Sequence, residues 1–330
     1  MLVTPPHAVA EATARDLGLV LAPLGVVDRV ERLTGGMFAT TYRATLTDGT
    51  RVVAKTAPTD AGRLLTYELD LVRTEAAVYR LAADRADLLM PNVLLTDFTR
   101  TVLAGDVLVV SHLDGIPLID AGELAAGTAD AVQRDLGAFM ARLHTVRGDR
   151  FGYPNLEAGL HAPTWPEAFT LMVGALLDDA QRWGTPLPSD DIRDTLDRHL
   201  DALATITIPS LVHMDLWAAN VFIDPATAEL TGIIDTERAV WGDPLLELAG
   251  ADQLGLGPAP AALLRGYAGA GGELALGTAS GRTRMLLYRL YLTLVLLVEI
   301  APRGYTGDWL DAHHSAAESN LRALLGVLGR

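Results

Sequence analysis

Asp215 and Asn220 stand five positions apart in Leu211-Val-His-Met-Asp-Leu-Trp-Ala-Ala-Asn-Val-Phe-Ile-Asp224, and Asp235 ends Gly232-Ile-Ile-Asp235, fifteen residues beyond Asn220. Two carboxylates and an amide, bounded by short apolar runs, are the groups that phosphoryl transfer from ATP to a hydroxyl requires. One carboxylate orients the attacking hydroxyl and accepts its proton, while an amide oxygen and the second carboxylate hold Mg2+. We assign Asp215 as the base and Asn220 and Asp235 as metal ligands, because hard oxygen donors with waters meet the octahedral demand of magnesium. His213 is assigned to hydrogen bonding within the loop.

A triphosphate also needs a cation and a close-fitting backbone. Lys55 ends the apolar run Val52-Val53-Ala54, and Glu75 follows twenty residues later. A strand lysine positioned by a helix glutamate contacts the α- and β-phosphates in two-lobed kinases. Glu68 competes with Glu75 for this place. Gly35-Gly36 is a turn where backbone amides approach phosphates without steric obstruction. Ser111-His112-Leu113 is the expected hinge, whose backbone groups pair with adenine.

These groups need a scaffold. Val26 to Leu33, Phe38 to Leu46, Arg51 to Lys55, Val93 to Phe98 and Val107 to Val110 have strand composition bounded by turn residues such as Asp48-Gly49. Leu71 to Leu81 has helical periodicity around Glu75. Beyond Asp114-Gly115, Ala/Leu-rich helical patterns take over: Ala131 to His144, Trp165 to Trp183, and Ser189 to Leu203 with Ser189 as cap. The expected architecture is α+β and bilobal. Residues 1–113 form a nucleotide-binding lobe, with a five-stranded antiparallel sheet and one main helix, and residues 114–330 form a helical catalytic and substrate-binding lobe.

The chain resembles the aminoglycoside phosphotransferase and choline/fructosamine kinase family, small-molecule kinases with a protein-kinase-like fold. The matching residues are Gly35-Gly36, Lys55, Glu75, the hinge with Asp114-Gly115, Ala141-Arg-Leu-His144, His213 to Asn220, and Ile234-Asp235-x-Glu237 followed by Gly242-Asp243-Pro244. The resemblance implies ATP and Mg2+ as cofactors and a small hydroxyl-bearing acceptor. Thr236-Glu237 stands where a protein kinase has Phe-Gly, and no Ala-Pro-Glu segment follows, which disfavours a protein acceptor. Met214 replaces the family's usual Gly, and Glu247 stands where Asp is common. Glu237 is expected to contact substrate or support the metal. Asp178, Asp179, Glu299, Asp308 and Asp311 are acidic candidates for a cationic acceptor, as in the aminoglycoside-modifying relatives. Asp215-Leu-Trp217 resembles the ketosamine kinases, although their Asn/His-rich C-terminal segment is not apparent in Leu294 to Tyr305. A nucleotide-binding pseudokinase acting through protein contacts is the rival class.

Composition narrows the field further. The 330 residues include 41 acidic and 26 basic ones, a net charge of −15 that disfavours a nucleic-acid partner and suits a neutral or cationic one. Without Cys there is neither a disulfide nor a thiolate metal site. No Gly-x-Ser-x-Gly elbow or His-Glu-x-x-His helix is present. Met285 to Ile300 is the most apolar stretch. It falls short of the ~20 residues a membrane span needs and carries Arg289, so a buried helix is expected. With no basic n-region and Pro5-Pro6 near the start, no secretory signal is expected, and a cytoplasmic location follows. Oligomeric state is left open.

Overall fold

The computed structural model describes residues 14–33 and 38–329. Gly35-Gly36 and Met37 lie outside the described residues. A short helix α1 (Ala14–Leu21) precedes strands β1 (Val27–Leu33), β2 (Thr40–Leu46) and β3 (Arg51–Thr56). Helix α2 (Leu71–Leu81) and strands β4 (Val93–Asp97) and β5 (Val107–Ser111) follow. The five strands form one antiparallel sheet in the order β1-β2-β3-β5-β4.

Strand alternation decides what each face carries. Tyr42, Ala44, Val52, Ala54, Val107 and Val109 pack with Leu17 and Leu21 of α1 on one face. Val53, Leu108 and Val110 pack with Val72, Ala76 and Tyr79 of α2 on the other. Lys55 is two residues beyond Val53 and therefore faces α2. The helix buries Leu71, Val72, Glu75, Ala76, Val78 and Tyr79, a run of i, i+3 and i+4 spacings that puts Glu75 on the stripe facing the sheet.

After Ser111, strand β6 (Ile116–Pro117) leads to helix α3 (Ala126–Leu143). Strands β7 (Phe151–Gly152) and β8 (His161–Ala162) then pair with one another. Helix α4 (Trp165–Trp183) has the expected bounds. The next expected helix is broken into α5 (Ser189–Arg198) and α6 (Leu200–Leu203). Ser189 does not cap it: Pro188 holds the N-cap position, and Ser189 is the first helical residue.

Strands β9 (Ser210–Val212), β10 (Val221–Ile223), β11 (Leu230–Ile233) and β12 (Val240–Gly242) carry the site, followed by helices α7 (Leu245–Ala251) and α8 (Ala261–Gly269). Helices α9 (Ala279–Val298), α10 (Ile300–Arg303) and α11 (Leu310–Leu328) complete the chain.

The apolar helical stretch is longer than expected. Ala279–Arg303 is 25 residues and by length and composition alone could cross a membrane, so it does not fall short. Its most apolar window is 78% buried inside the protein, and that packing identifies a core helix. Tyr288, Tyr291, Leu294, Val295 and Val298 are fully enclosed among Trp165, Phe169 and Leu176 of α4 and their neighbours. The same helix is polar where it meets the site-bearing segment: Arg284 ion-pairs Asp243 at 2.7 Å, and the Tyr288 hydroxyl donates to Asp243 at 2.7 Å.

Candidate active site

The loop between Val212 and Val221 joins two different sheets. Strand β9 pairs with β12, Val212 opposite Val240, while β10 pairs with β11, Val221 opposite Ile233. Two anchored ends leave the eight intervening residues little freedom. The middle is held by Glu247 of α7, whose fully buried carboxylate accepts the backbone N–H of His213 at 2.8 Å and of Met214 at 3.0 Å. Burial alone would push the Glu247 carboxyl up; hydrogen bonding and charge from His144, with the His213 contacts, outweigh it and hold its pKa below the usual value. Glu247 therefore anchors the loop backbone.

His213 bonds the loop on both sides of its ring. Its Nε2 lies 2.8 Å from the Ile234 carbonyl, and its Nδ1 accepts the Asp215 N–H at 3.3 Å. A neutral ring with the proton on Nε2 satisfies both contacts.

Met214, between them, has φ of +63° and is almost fully buried. This conformation is cheap for glycine and costs other residues about 1 kcal/mol. Burying the methionine side chain returns about 1.5–3 kcal/mol, which wins. Gly250 of α7 packs on this backbone so closely that an added Cβ would lie 2.4 Å from the Met214 carbonyl oxygen. We predict that Met214→Gly relieves the strain yet destabilises the fold by about 1–2 kcal/mol, because lost burial and added unfolded-state freedom exceed the relief. Urea unfolding of both proteins measures the difference; a more stable variant would show that strain dominates.

Asn220 turns its amide inward. Its Nδ2 donates to the Asp215 carbonyl at 2.8 Å and lies 3.4 Å from Asp215 Oδ2. With Nδ2 engaged, Oδ1 is the atom left to meet a cation. The Ile234 N–H donates to the Asn220 carbonyl at 3.1 Å, which sets Asp235 beside the loop.

Asp235 closes a ring of four groups. Lys55 Nζ donates to Glu75 Oε1 at 2.7 Å and also to Asp235 Oδ1. The Tyr79 hydroxyl donates to Glu75 Oε1 at 2.6 Å and accepts the Asp235 N–H at 3.0 Å. Tyr79 is four residues after Glu75 and so lies on the same helix face. The ring holds Asp235 at φ +65° and links the five-stranded sheet, α2 and the metal loop. Burial opposes the charge on Lys55, but Asp235 and Glu75 outweigh it and raise its pKa well above the usual value. Burial likewise opposes charge on Asp235, and Lys55 outweighs it, so that its carboxyl is held below the usual range.

Asp215 differs, because burial prevails and pushes its pKa up to about 6, against the nearby Arg238. Glu237 is pushed up to about 8 by burial and then by Asp235. Among the described residues, ligand atoms of Glu75, Asp235 and Glu237 lie within 4.8 Å of one another, and Glu75 Oε2 is buried with no hydrogen-bond partner. Carboxylate and amide oxygens without sulfur fit a hard divalent cation.

The sequence-matching model of the phosphotransferase enzyme family covers residues 29–288, which include every one of these groups. The chain belongs to the phosphotransferase enzyme family.

Solved structures agree on the fold. A fructosamine-3-kinase candidate from Thermobifida fusca is 21% identical with a TM-score of 0.65, over 96% of this chain and 99% of that one. A thermostable mutant of aminoglycoside phosphotransferase APH(4)-Ia is 20% identical with a TM-score of 0.60, over 96% and 99%. Macrolide 2'-phosphotransferase MphH from Brachybacterium faecium is 20% identical with a TM-score of 0.57, over 92% and 97%. The APH(4)-Ia enzyme has been crystallised with ADP and hygromycin B.

Within this phosphotransferase the remaining expected residues have varied placements. Glu68 does not meet Lys55; it ion-pairs Arg303 of α10 and accepts the Leu65 N–H at 2.9 Å. The Ser111 backbone N–H is used by Asn92 and its Oγ accepts the Asn92 N–H. His112 is largely enclosed, with burial and Arg51 lowering its pKa, and Leu113 packs on Gly232, where a Cβ would meet its Cδ1 at 2.5 Å. Asp178, Asp179 and Glu299 are not gathered into one acidic pocket. Asp178 is exposed near Arg193; buried Asp179 accepts the Thr66 N–H at 2.7 Å and pairs with Arg182; Glu299 pairs with Arg238 at 2.8 Å and Arg303 at 3.5 Å. Asp179 and Glu299 already have cationic or backbone partners, which removes their need for an external cation, and Asp178 is solvated. Tyr79, Arg238, Glu247 and Gln253, which donates to Asp215 Oδ1, are parts of the site beyond those expected. Only Tyr79 had a local signal, its i+4 spacing from Glu75.

Proposed function

We propose that this phosphotransferase uses ATP and Mg2+ to phosphorylate a hydroxyl of an amine-bearing sugar or aminoglycoside-like alcohol. The observation that carries it is the convergence of Lys55, Glu75 and Asp235 in one ring, beside an Asp215–Asn220 pair whose half-buried carboxyl has its pKa pushed up to about 6. Residues 1–113 serve as the nucleotide lobe and 114–330 as the acceptor lobe, with ATP placing the reaction in the cytoplasm. Asn220 Oδ1, Asp235 and Glu237 would hold Mg2+, which neutralises phosphate charge when bound. Lys55 positions the phosphates, and the backbone of His112 and Leu113 meets adenine. Asp215 orients the acceptor hydroxyl and takes its proton. Positioning and fixed charge supply most of the acceleration.

The acidic side chains do not define the acceptor, so its amine is supported by the net charge of −15, which draws cations toward the protein, and by the names of the similar structures. A ketosamine fits the same chemistry. ATP consumption measured with amino sugars, ketosamines and aminoglycosides tests the reading. Acceptor-dependent ADP formation is expected with at least one class. Nucleotide binding without consumption, together with a stable protein partner, would instead establish the pseudokinase.

The pH dependence follows from Asp215. Below its pKa of about 6 the carboxyl is protonated and cannot take the hydroxyl proton, so kcat/KM should fall about tenfold per pH unit on the acid side. The same upward shift means that the native state holds this proton more tightly than the unfolded chain. Asp215 therefore costs stability as pH rises from about 4 to about 6. A kcat/KM profile flat down to pH 4.5 would remove Asp215 as the base.

A further inference from the structure

Asp215 has two carboxylate oxygens in different surroundings. Oδ2 faces the Asn220 amide and hence the metal side, at 3.4 Å. Oδ1 accepts a hydrogen bond from Gln253 Nε2. An acceptor hydroxyl approaching away from the metal must donate to Oδ1, so the Gln253 N–H lies where that O–H belongs.

The segment bearing Gln253 is braced. It begins two residues past the end of α7. Asn320 of α11 donates to the Leu254 carbonyl at 2.9 Å, and Arg289 of α9 donates to the carbonyls of Leu256, at 2.8 Å, and Gly257. Leu254 packs against the main core, and Gly255 is pressed so tightly on Asp252 that a Cβ would fall 1.8 Å from its carboxylate. Arg289, a charge within the most apolar helix, thus has carbonyl partners in the segment that follows Gln253. Helices α9 and α11 fix this backbone, and the glutamine side chain reaches from it to Asp215.

A primary amide is neutral and offers two donors and one acceptor. Turned away from Asp215, it complements a neutral hydroxyl better than a lone ammonium or carboxylate. We propose that Gln253 is an acceptor-specificity residue: its amide holds the place of the acceptor hydroxyl on Asp215 until an acceptor with a second hydroxyl beside the reacting one displaces it and takes up its hydrogen bonds. This rests on the phosphotransferase role of Asp215. In each turnover the bond from the γ-phosphorus to the ADP oxygen breaks, a bond to the alcohol oxygen forms, and the hydroxyl proton passes to Asp215. With no acceptor, the amide keeps water off the same oxygen and suppresses ATP hydrolysis.

The test uses the full chain with ATP and Mg2+, glycerol as an acceptor with neighbouring hydroxyls, and propanol as one without. Wild type should phosphorylate glycerol about tenfold better than propanol, and Gln253→Ala should lose that preference. Phosphate release to water should rise about fivefold in the variant, since an ordered donor no longer covers Oδ1. Equal nucleotide affinity in the two proteins verifies that the variant is folded. Identical alcohol preference and identical hydrolysis in both would overturn the proposal. If wild type consumes ATP with neither alcohol, amino sugars, ketosamines and aminoglycosides replace them, and the Asp215 reading fails only when none of these is phosphorylated. The Gln253 contact is then judged by NMR, where the side-chain amide signal of Gln253 should move on Asp215→Asn; an unmoved signal overturns the contact as well.

Discussion

Asp215→Ala should lower kcat by about 10^3-fold while ATP affinity stays within about twofold of wild type. The carboxylate is reached by Asn220 and Gln253 side chains and makes no contact with Lys55 or Glu75, so its removal leaves the phosphate-holding ring intact. What is lost is the group that orients the hydroxyl and receives its proton in the transition state. A general base contributes roughly 10^2- to 10^4-fold, and this one is matched to its task by a pKa of about 6. Steady-state kinetics with titration calorimetry of an ATP analogue separate the two quantities. Turnover like wild type would remove Asp215 from the mechanism. A joint loss of binding and turnover would show that the variant had lost the loop, which depends on Glu247 and His213 rather than on the Asp215 carboxylate.

Asp235→Asn should abolish the gain in nucleotide affinity that Mg2+ gives and lower kcat/KM by about 10^3-fold. The substitution keeps size and the backbone N–H that Tyr79 accepts, so the helix side of the ring persists. It removes the charge that both Lys55 and a cation require. Lys55 retains Glu75 as a partner, which limits the cost of leaving a buried cation. Calorimetry of the ATP analogue with and without Mg2+ is the deciding measurement. An unchanged magnesium effect would place the metal elsewhere, on Glu237 and Asn220 alone. Comparison with Lys55→Ala discriminates further, because that variant should lose nucleotide affinity at all magnesium concentrations.

Much of this protein is decided locally. The five strands and α2 are expected within one to a few residues because alternation and helical periodicity are imposed by the faces they bury. The spacings of Asp215, Asn220 and Asp235 likewise state their chemistry, since hairpin strands of three or four residues fix how far apart the groups stand. Lys55 and Glu75 follow from the same periodicities. Other features have no local signature. Ser189 has the composition of a cap, yet Pro188 holds the position, its carbonyl accepting the Ile192 N–H at 3.0 Å. Glu247 occupies a helix start, where a carboxylate is favourable in any case, and only the fold reveals two loop N–H groups above it.

The sequence by itself determined the antiparallel sheet with its facing helix and the kinase-type groups. Those are properties of neighbouring residues, set by side-chain period and covalent geometry. Tertiary structure decided which of Glu68 and Glu75 meets Lys55, that Asp178, Asp179 and Glu299 are each already paired, and that Gln253 reaches Asp215. These depend on which distant side chains compete for the same charge, and buried charges take the partner that packing brings nearest.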